Sequence, residues 1–326
     1  MDGKGRLELV SPGNLKGTHG YEISPGARLA LHTFTNRYTP FVSEWIKLPE
    51  HKPLQDNQSM ANRIKTAERK NLEFFTITTD DNVTMDGWIV TPENFDSSKK
   101  YPVLLYVYGE PGNTTVEDKF STGGNRLFNG DMAKSGYFYV SFNNRGTPTL
   151  KGSAWRKAIY RDIGGINIRD QAMAMKKLLQ QRPYLDTARV ASWGWSGGGS
   201  STLNLLFQYP DIFKTGIAVA AVANQLTYDN IYQERYMGPP QETKADYIKG
   251  SPVTYAKNLR GNLLYIHGTG DDNVHYQNAE MLLNELIKYN KQFQFMSYPN
   301  RSHSIREGEG TTRHLRTLFT SYLLKY

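Results

Sequence analysis

Apolar and polar positions alternate in two different rhythms along this chain. Up to about residue 50 the rhythm is that of short strands. "RLELV" (6–10), "HGYEIS" (19–24), "RLALHTFT" (28–35) and "FVSEWIKL" (41–48) are separated by the Gly/Pro signals "SPGN" and "PGA", which predicts four β-strands with tight turns. A polar stretch over 56–70 reads as a helical connector, and two β-rich runs at 72–79 and 83–91 flank a turn at Asp80-Asp81-Asn82. Beyond that hairpin the rhythm changes. Nearly continuous apolar runs at 101–109, 137–144, 189–195, 215–223, 262–268 and 293–299 read as buried strands. They are interleaved with helical patterns at 164–183, 197–210, 278–290 and 311–326. Buried strands alternating with helices predict an α/β fold, a mostly parallel sheet covered on both faces. Its chemistry belongs at the carboxyl ends of the strands.

Composition narrows the options. A chain of 326 residues can bury a large core and suits one large α/β domain plus an appendage. Tyr outnumbers Phe, 21 to 14, which favours pockets that are both apolar and hydrogen-bonding. The formal net charge is +8, but no basic block exceeds a pair such as Lys99-Lys100. A nucleic-acid binder gathers its charge on one face, so no nucleic-acid partner is expected. The absence of Cys excludes disulfides and thiolate chemistry. No apolar run reaches membrane-spanning length, and "MDGKGRLELV" has charges where a signal peptide needs an apolar core.

The chemistry concentrates at "GWSGGG" (194–199). A G-x-S-x-G between strand and helix is the context of a nucleophile elbow, in which the serine occupies a strained turn and flanking glycines avoid collisions. A phosphate loop would need GK[ST] next, and none follows. Ser196 is therefore the candidate nucleophile, with the Gly197 amide at the helix start as one oxyanion donor. In this fold the order is Ser, acid, His. Of seven histidines, His19, His32 and His51 precede the domain, His267 ends a strand before the acid, His275 crowds the acidic loop, and His314 falls mid-helix. His303, in the polar loop "PNRSHSI" after a strand, remains as the base. The acid comes from Asp271 or Asp272 in "HGTGDDNVH", the other being expected to cap the following helix. A metal site from His267, Asp271, Asp272 and His275 is a weaker account of the same loop. The chemistry needs no cofactor.

"YPVLLYVYGEPG", "FNNRGT", "GWSGGG", "YDNIYQERYMG", "HGTGDDNVH" and the late loop histidine together resemble the prolyl oligopeptidase family, specifically the catalytic domain of its dipeptidyl peptidase IV branch, over nearly the whole chain. The resemblance implies an α/β-hydrolase fold over 71–326, a connector at 56–70, and a residual β-propeller blade over 1–55. It implies Ser196, Asp271 and His303 as catalytic residues and Tyr108 as the second oxyanion donor beside Gly197. It places Tyr228, Tyr232, Val222 and Val274 around the pocket for the residue before the cut bond, with Asn273 on a substrate carbonyl and Arg235 nearby. Tyr228 and Tyr232, four apart, share one face if helical. Asn144 and Arg145 begin a supporting loop.

The implied reaction is hydrolysis after proline or alanine, releasing dipeptides from the amino terminus of a peptide. The resemblance also suggests a homodimer, a periplasmic or extracellular location, and a longer natural protein whose propeller holds the glutamates that bind the substrate's amine. Two positions depart from the family pattern: Gly197 stands where an aromatic residue is common, and Gln225 where a tryptophan is common. Those altered walls favour, as alternatives, a broader acyl-aminoacyl peptidase or esterase. A non-catalytic scaffolding module is the reading from a different class.

Overall fold

In the computed structural model, Gly5, residues 8–56 and residues 71–326 are described. The connector expected over 56–70 lies outside them except for Asp56. The chain divides into two compact units. The residues before Asn71 join Glu117–Gly124, while 71–116 and 125–326 form the other. The division thus differs from a single cut at residue 71, and hydrogen bonds account for it. Thr18 donates to the Asp118 carbonyl (2.9 Å), and the Arg37 amide donates to the Asp118 carboxylate (2.8 Å).

The first unit is a four-stranded antiparallel sheet in sequence order: β1 (Thr18–Ile23), β2 (Leu29–Asn36), β3 (Thr39–Lys47) and β4 (Lys52–Asp56). Of the strand expected at 6–10, Arg6 and Leu7 lie outside the described residues, and Glu8–Val10 carry no strand. β-propensity without a neighbour to pair with does not make a strand. The unexpected strand is β4. It is exposed throughout and carries Pro53, and both features hide an edge strand from pattern reading.

The second unit is an eight-stranded sheet in the order β12-β11-β10-β9-β7-β8-β6-β5. Its strands are β5 (Leu72–Thr78), β6 (Thr84–Val90), β7 (Tyr101–Tyr106), β8 (Phe138–Asn143), β9 (Leu185–Trp195), β10 (Thr215–Val219), β11 (Asn262–Gly268) and β12 (Gln294–Tyr298). From β8 to β12 every pairing is parallel, and β6 is antiparallel to both β5 and β8. The helices are α1 (Ser153–Lys157), α2 (Ile166–Gln181), α3 (Gly197–Gln208), α4 (Asn230–Met237), α5 (Pro240–Gly250), α6 (Gln277–Lys288) and α7 (Thr311–Lys325). This is the α/β-hydrolase fold.

The alternation of side chains along a strand divides the core in two. On one face Val103, Leu105, Val190 and Ala218 meet Met175 and Leu178 of α2, Leu203 of α3 and Leu282 of α6. On the other, Leu104, Trp193, Ile217 and Val219 meet Phe319 and Leu323 of α7. Each such large side chain contributes roughly 1.5–3 kcal/mol by leaving water. No helix among the described residues is long and apolar enough to cross a membrane.

Candidate active site

The parallel strands β7, β9, β11 and β12 end on the same side, and each is followed by a loop carrying a residue of interest. After β9, Ser196 has φ 59° and ψ −122°, a left-handed conformation that costs a non-glycine residue energy and needs support. The support is local. The Ser196 amide donates to Val219 O (2.9 Å), and Ser196 O accepts from the Ser200 amide (3.0 Å). A Cβ on Gly194 would lie 2.3 Å from Gly198 O, and one on Gly198 2.3 Å from Val107 O. Neither position accepts a side chain. Ser196 sits directly before α3, whose first amides are free to point at an anion.

After β11, Asp271 is buried. Its Oδ1 accepts the amides of Asn273 (3.0 Å) and Val274 (2.8 Å). Its Oδ2 faces His303 Nδ1 at 2.8 Å and His267 Nε2 at 3.3 Å. Burial alone would raise the Asp271 pKa, but the hydrogen bonds to His267 and His303 outweigh it and hold the carboxyl well below its ordinary range. Asp271 is thus a fixed anion that orients the His303 ring through Nδ1. Asp272 is exposed and does not cap the next helix, contrary to expectation. The N-cap position of α6 is Tyr276, with no side-chain cap, because four residues separate Asp272 from that helix start. His303 is held by the Trp195 indole, whose Nε1 donates to the His303 carbonyl (2.9 Å). The residue before the serine therefore ties the β12 loop to the elbow.

The loop after β7 carries Tyr108. Its carbonyl accepts from Ser201 Oγ of α3 (2.8 Å), and its backbone packs on Gly198. Burial raises the phenol's pKa far above normal, aided by Glu110, so it is a neutral donor. Asn144 Nδ2 donates to the Gly109 carbonyl (2.9 Å), and Asn144 Oδ1 accepts from Gln171 Nε2 (2.9 Å). Arg145 forms a fork on Asp170 of α2 through Nε (3.0 Å) and a terminal guanidinium nitrogen (2.6 Å).

Tyr228, Tyr232 and Tyr236 form an edge-to-face ladder, with centroids 5.7 and 5.0 Å apart. Tyr228 is extended, not helical, so the condition for a shared helix face with Tyr232 is not met. It precedes α4, with Asp229 capping the helix by accepting from the Tyr232 amide (2.9 Å). Tyr228 donates to Asn273 Oδ1 (2.8 Å). Val222 and Val274 are buried, at 2% and 0% exposure. Arg235 is exposed and lies over Tyr236, 5.5 Å from its centroid, at the outer end of the ladder.

Pattern reading missed Glu110. It is 4% exposed and accepts from Tyr232 Oη (3.1 Å). A Cβ on Gly197 would lie 2.7 Å from its Oε2, so the carboxyl occupies the space a side chain after the serine would use. Burial pushes its pKa up to about 7, against smaller opposing effects of Tyr232 and Gln225. Gln225 in turn accepts from Gln233. Gly197 and Gln225 thus adjoin a polar, ionisable floor. Only the unusual "GEPG" hinted at it, because a lone Glu in a loop reads as solvated.

Comparisons with known proteins identify the family. The model of the prolyl oligopeptidase family matches residues 130–326. The chain is 34% identical to prolyl endopeptidase FAP of Bos taurus over 279 residues, covering 84% of this chain and 35% of that protein. It is 37% identical to the probable dipeptidyl-aminopeptidase B of Arthroderma benhamiae over 320 residues, covering 94% and 34%. Among solved structures, dipeptidyl peptidase 4 of Porphyromonas gingivalis superposes with a TM-score of 0.88 at 35% identity, covering 99% of this chain and 45% of that one. The chain spans about a third of the length of the curated relatives it matches. Fold, strand-end geometry and sequence converge: the chain belongs to the prolyl oligopeptidase family.

Proposed function

We propose that this chain carries the acyl-transfer centre of a serine exopeptidase that cuts peptides after proline or alanine. The observation that supports it most is the pairing of a left-handed Ser196 at the head of α3 with the buried Asp271–His303 hydrogen bond of 2.8 Å. Ser196 Oγ attacks the carbonyl carbon of the scissile bond while His303 Nε2 takes its proton. Asp271 stabilises the resulting imidazolium. The Gly197 amide and the Tyr108 hydroxyl stabilise the oxyanion. Collapse of the tetrahedral adduct expels the amine, which takes the proton from His303. Water then releases the acyl group by the same route. Tyr228, Tyr232, Val222 and Val274 wall the pocket for the residue before the cut, with Asn273 on a substrate carbonyl and Arg235 outside. The four-stranded first unit is the counterpart of a propeller blade. The names of the relatives support peptide substrates and dipeptide release, and a location outside the cytoplasm and a homodimer fit the family.

The test is labelling with a fluorophosphonate, then turnover of Gly-Pro-nitroanilide. Labelling of the wild-type chain and none of Ser196→Ala is the expected result. An unlabelled wild-type chain with normal circular dichroism would refute the nucleophile. The polar floor at Glu110, Gly197 and Gln225 favours a second reading, a broader acyl-aminoacyl peptidase or esterase. A higher kcat/KM for acetyl-alanine esters than for Gly-Pro-nitroanilide would select it.

A further inference from the structure

The first unit contains a cluster that the peptidase chemistry does not use. His32 of β2 and Glu44 of β3 are direct cross-strand partners, so their side chains share a face. His32 is fully buried and Glu44 is 9% exposed. His51, in the turn before β4, sits edge-on to His32 with ring centroids 4.5 Å apart, held there by a left-handed backbone, φ 51°. One ligand atom from each of His32, Glu44 and His51 falls within 4.8 Å of the others.

Hydrogen-bond accounting shows that the cluster lacks something. His19 Nε2 lies 2.8 Å from Leu15 O, which can only accept, so that nitrogen carries a hydrogen. A neutral His19 then offers a lone pair at Nδ1, 2.9 Å from His32 Nε2, which must donate. A neutral His32 is left with a lone pair at Nδ1, 2.7 Å from Glu44 Oε1. Two acceptors cannot face each other at that distance. The relay is one positive charge short. In addition, His51 Nε2 and Tyr21 Oη are buried with no hydrogen-bond partner among the described residues, and the Tyr21 ring stacks on His32 at 4.7 Å. An added proton would supply the charge but leave His51 Nε2 unpartnered. A cation that takes lone pairs meets both needs.

We propose that His32 Nδ1, a Glu44 carboxylate oxygen and His51 Nε2 bind one divalent transition-metal ion of the zinc kind. Two imidazoles and a carboxylate are a ligand set suited to that ion, with a fourth position for water. His19 is the outer partner, accepting from His32 Nε2 and fixing the ring's tautomer, as such partners do for metal-bound histidines. The ion joins β2, β3 and the turn before β4, and its role is structural.

The whole 326-residue chain is stripped with a chelator and titrated with cobalt(II), then with zinc(II), the bound zinc being counted after desalting. One zinc per chain, tetrahedral cobalt bands in the visible, and a rise in the thermal midpoint on zinc addition are expected. His51→Gln and Glu44→Gln lose the site, and His19→Phe weakens it about 10- to 100-fold. His303→Gln, which removes a histidine of the active-site cluster, leaves uptake unchanged. Should the variants not fold, X-ray absorption on the wild-type zinc complex decides, with two imidazoles and light-atom ligands at about 2.0–2.2 Å expected. Substoichiometric zinc, uptake unaltered in folded His51→Gln and Glu44→Gln, or a spectrum with fewer than two imidazoles overturns the proposal.

Discussion

Glu110 shows how much a single side chain alters the site. Its pKa of about 7 is above the ordinary 4.5, so the unfolded chain loses this proton first as pH rises. The stability tied to the neutral form is complete below about 4.5 and is lost by about pH 7, at most roughly 3 kcal/mol. Glu110→Gln removes that term. Urea unfolding at pH 5 and pH 8 should show the variant gaining on the wild type at the higher pH, and parallel pH profiles would contradict the burial argument. Asp271→Asn tests the orienting anion. It should lower kcat about 10⁴-fold while leaving the unfolding cooperative, as read by nitroanilide turnover beside a melt. Ser196 and His303 could be singled out because each follows a strand in a fixed order, whereas order alone left Asp271 and Asp272 open and only the family resemblance chose Asp271. Glu110 was not, because its burial arises from the Tyr232 and Gly197 positions, far off in sequence.

At the scale of elements, the loop after β8 is tied to α2 by Arg145 on Asp170, whose carboxyl is 1% exposed at the side chain. Arg145→Met would strand a buried charge and should cost about 3–5 kcal/mol, measurable by chemical denaturation. The double change with Asp170→Leu should recover most of it. A single-variant cost below about 1 kcal/mol would mean that water replaces the guanidinium. The long apolar strands and α2, α3, α6 and α7 could be read from their periodicity. The helices α4 and α5 could not, since residues 228–250 are polar and broken by Gly-Pro-Pro at 238–240. The one available signal was Asp229, three residues before the Tyr232 amide it caps. The β4 strand failed for the reverse reason: its sequence is loop-like, and only pairing with β3 makes it a strand.

For the molecule as a whole, sequence rhythm predicted an α/β sheet and placed its chemistry at the strand ends. It could not supply the strand order, because parallel crossovers leave the position of β7 between β8 and β9 unspecified by any local pattern. Nor could it assign Glu117–Gly124 to the first unit, which that segment meets through hydrogen bonds to Thr18, Thr35 and Arg37. All the residues proposed for nucleophilic attack lie in the second unit. Small activated esters should therefore be hydrolysed by this chain with full dependence on Ser196, whatever the rate on Gly-Pro-nitroanilide. Ester turnover that persists in Ser196→Ala would place the activity elsewhere.

The hydrogen bond from the Trp195 indole to the His303 carbonyl makes that ring an optical reporter. Indole emission responds to the loss of a hydrogen-bonded carbonyl and to the cation stacked above it, here Arg126 at 5.4 Å. Any departure of the base loop from the nucleophile would shift the emission of Trp195. Among the five tryptophans it is the one bonded to the His303 loop, so with the other four replaced by phenylalanine the seating of that loop against Ser196 can be followed by fluorescence.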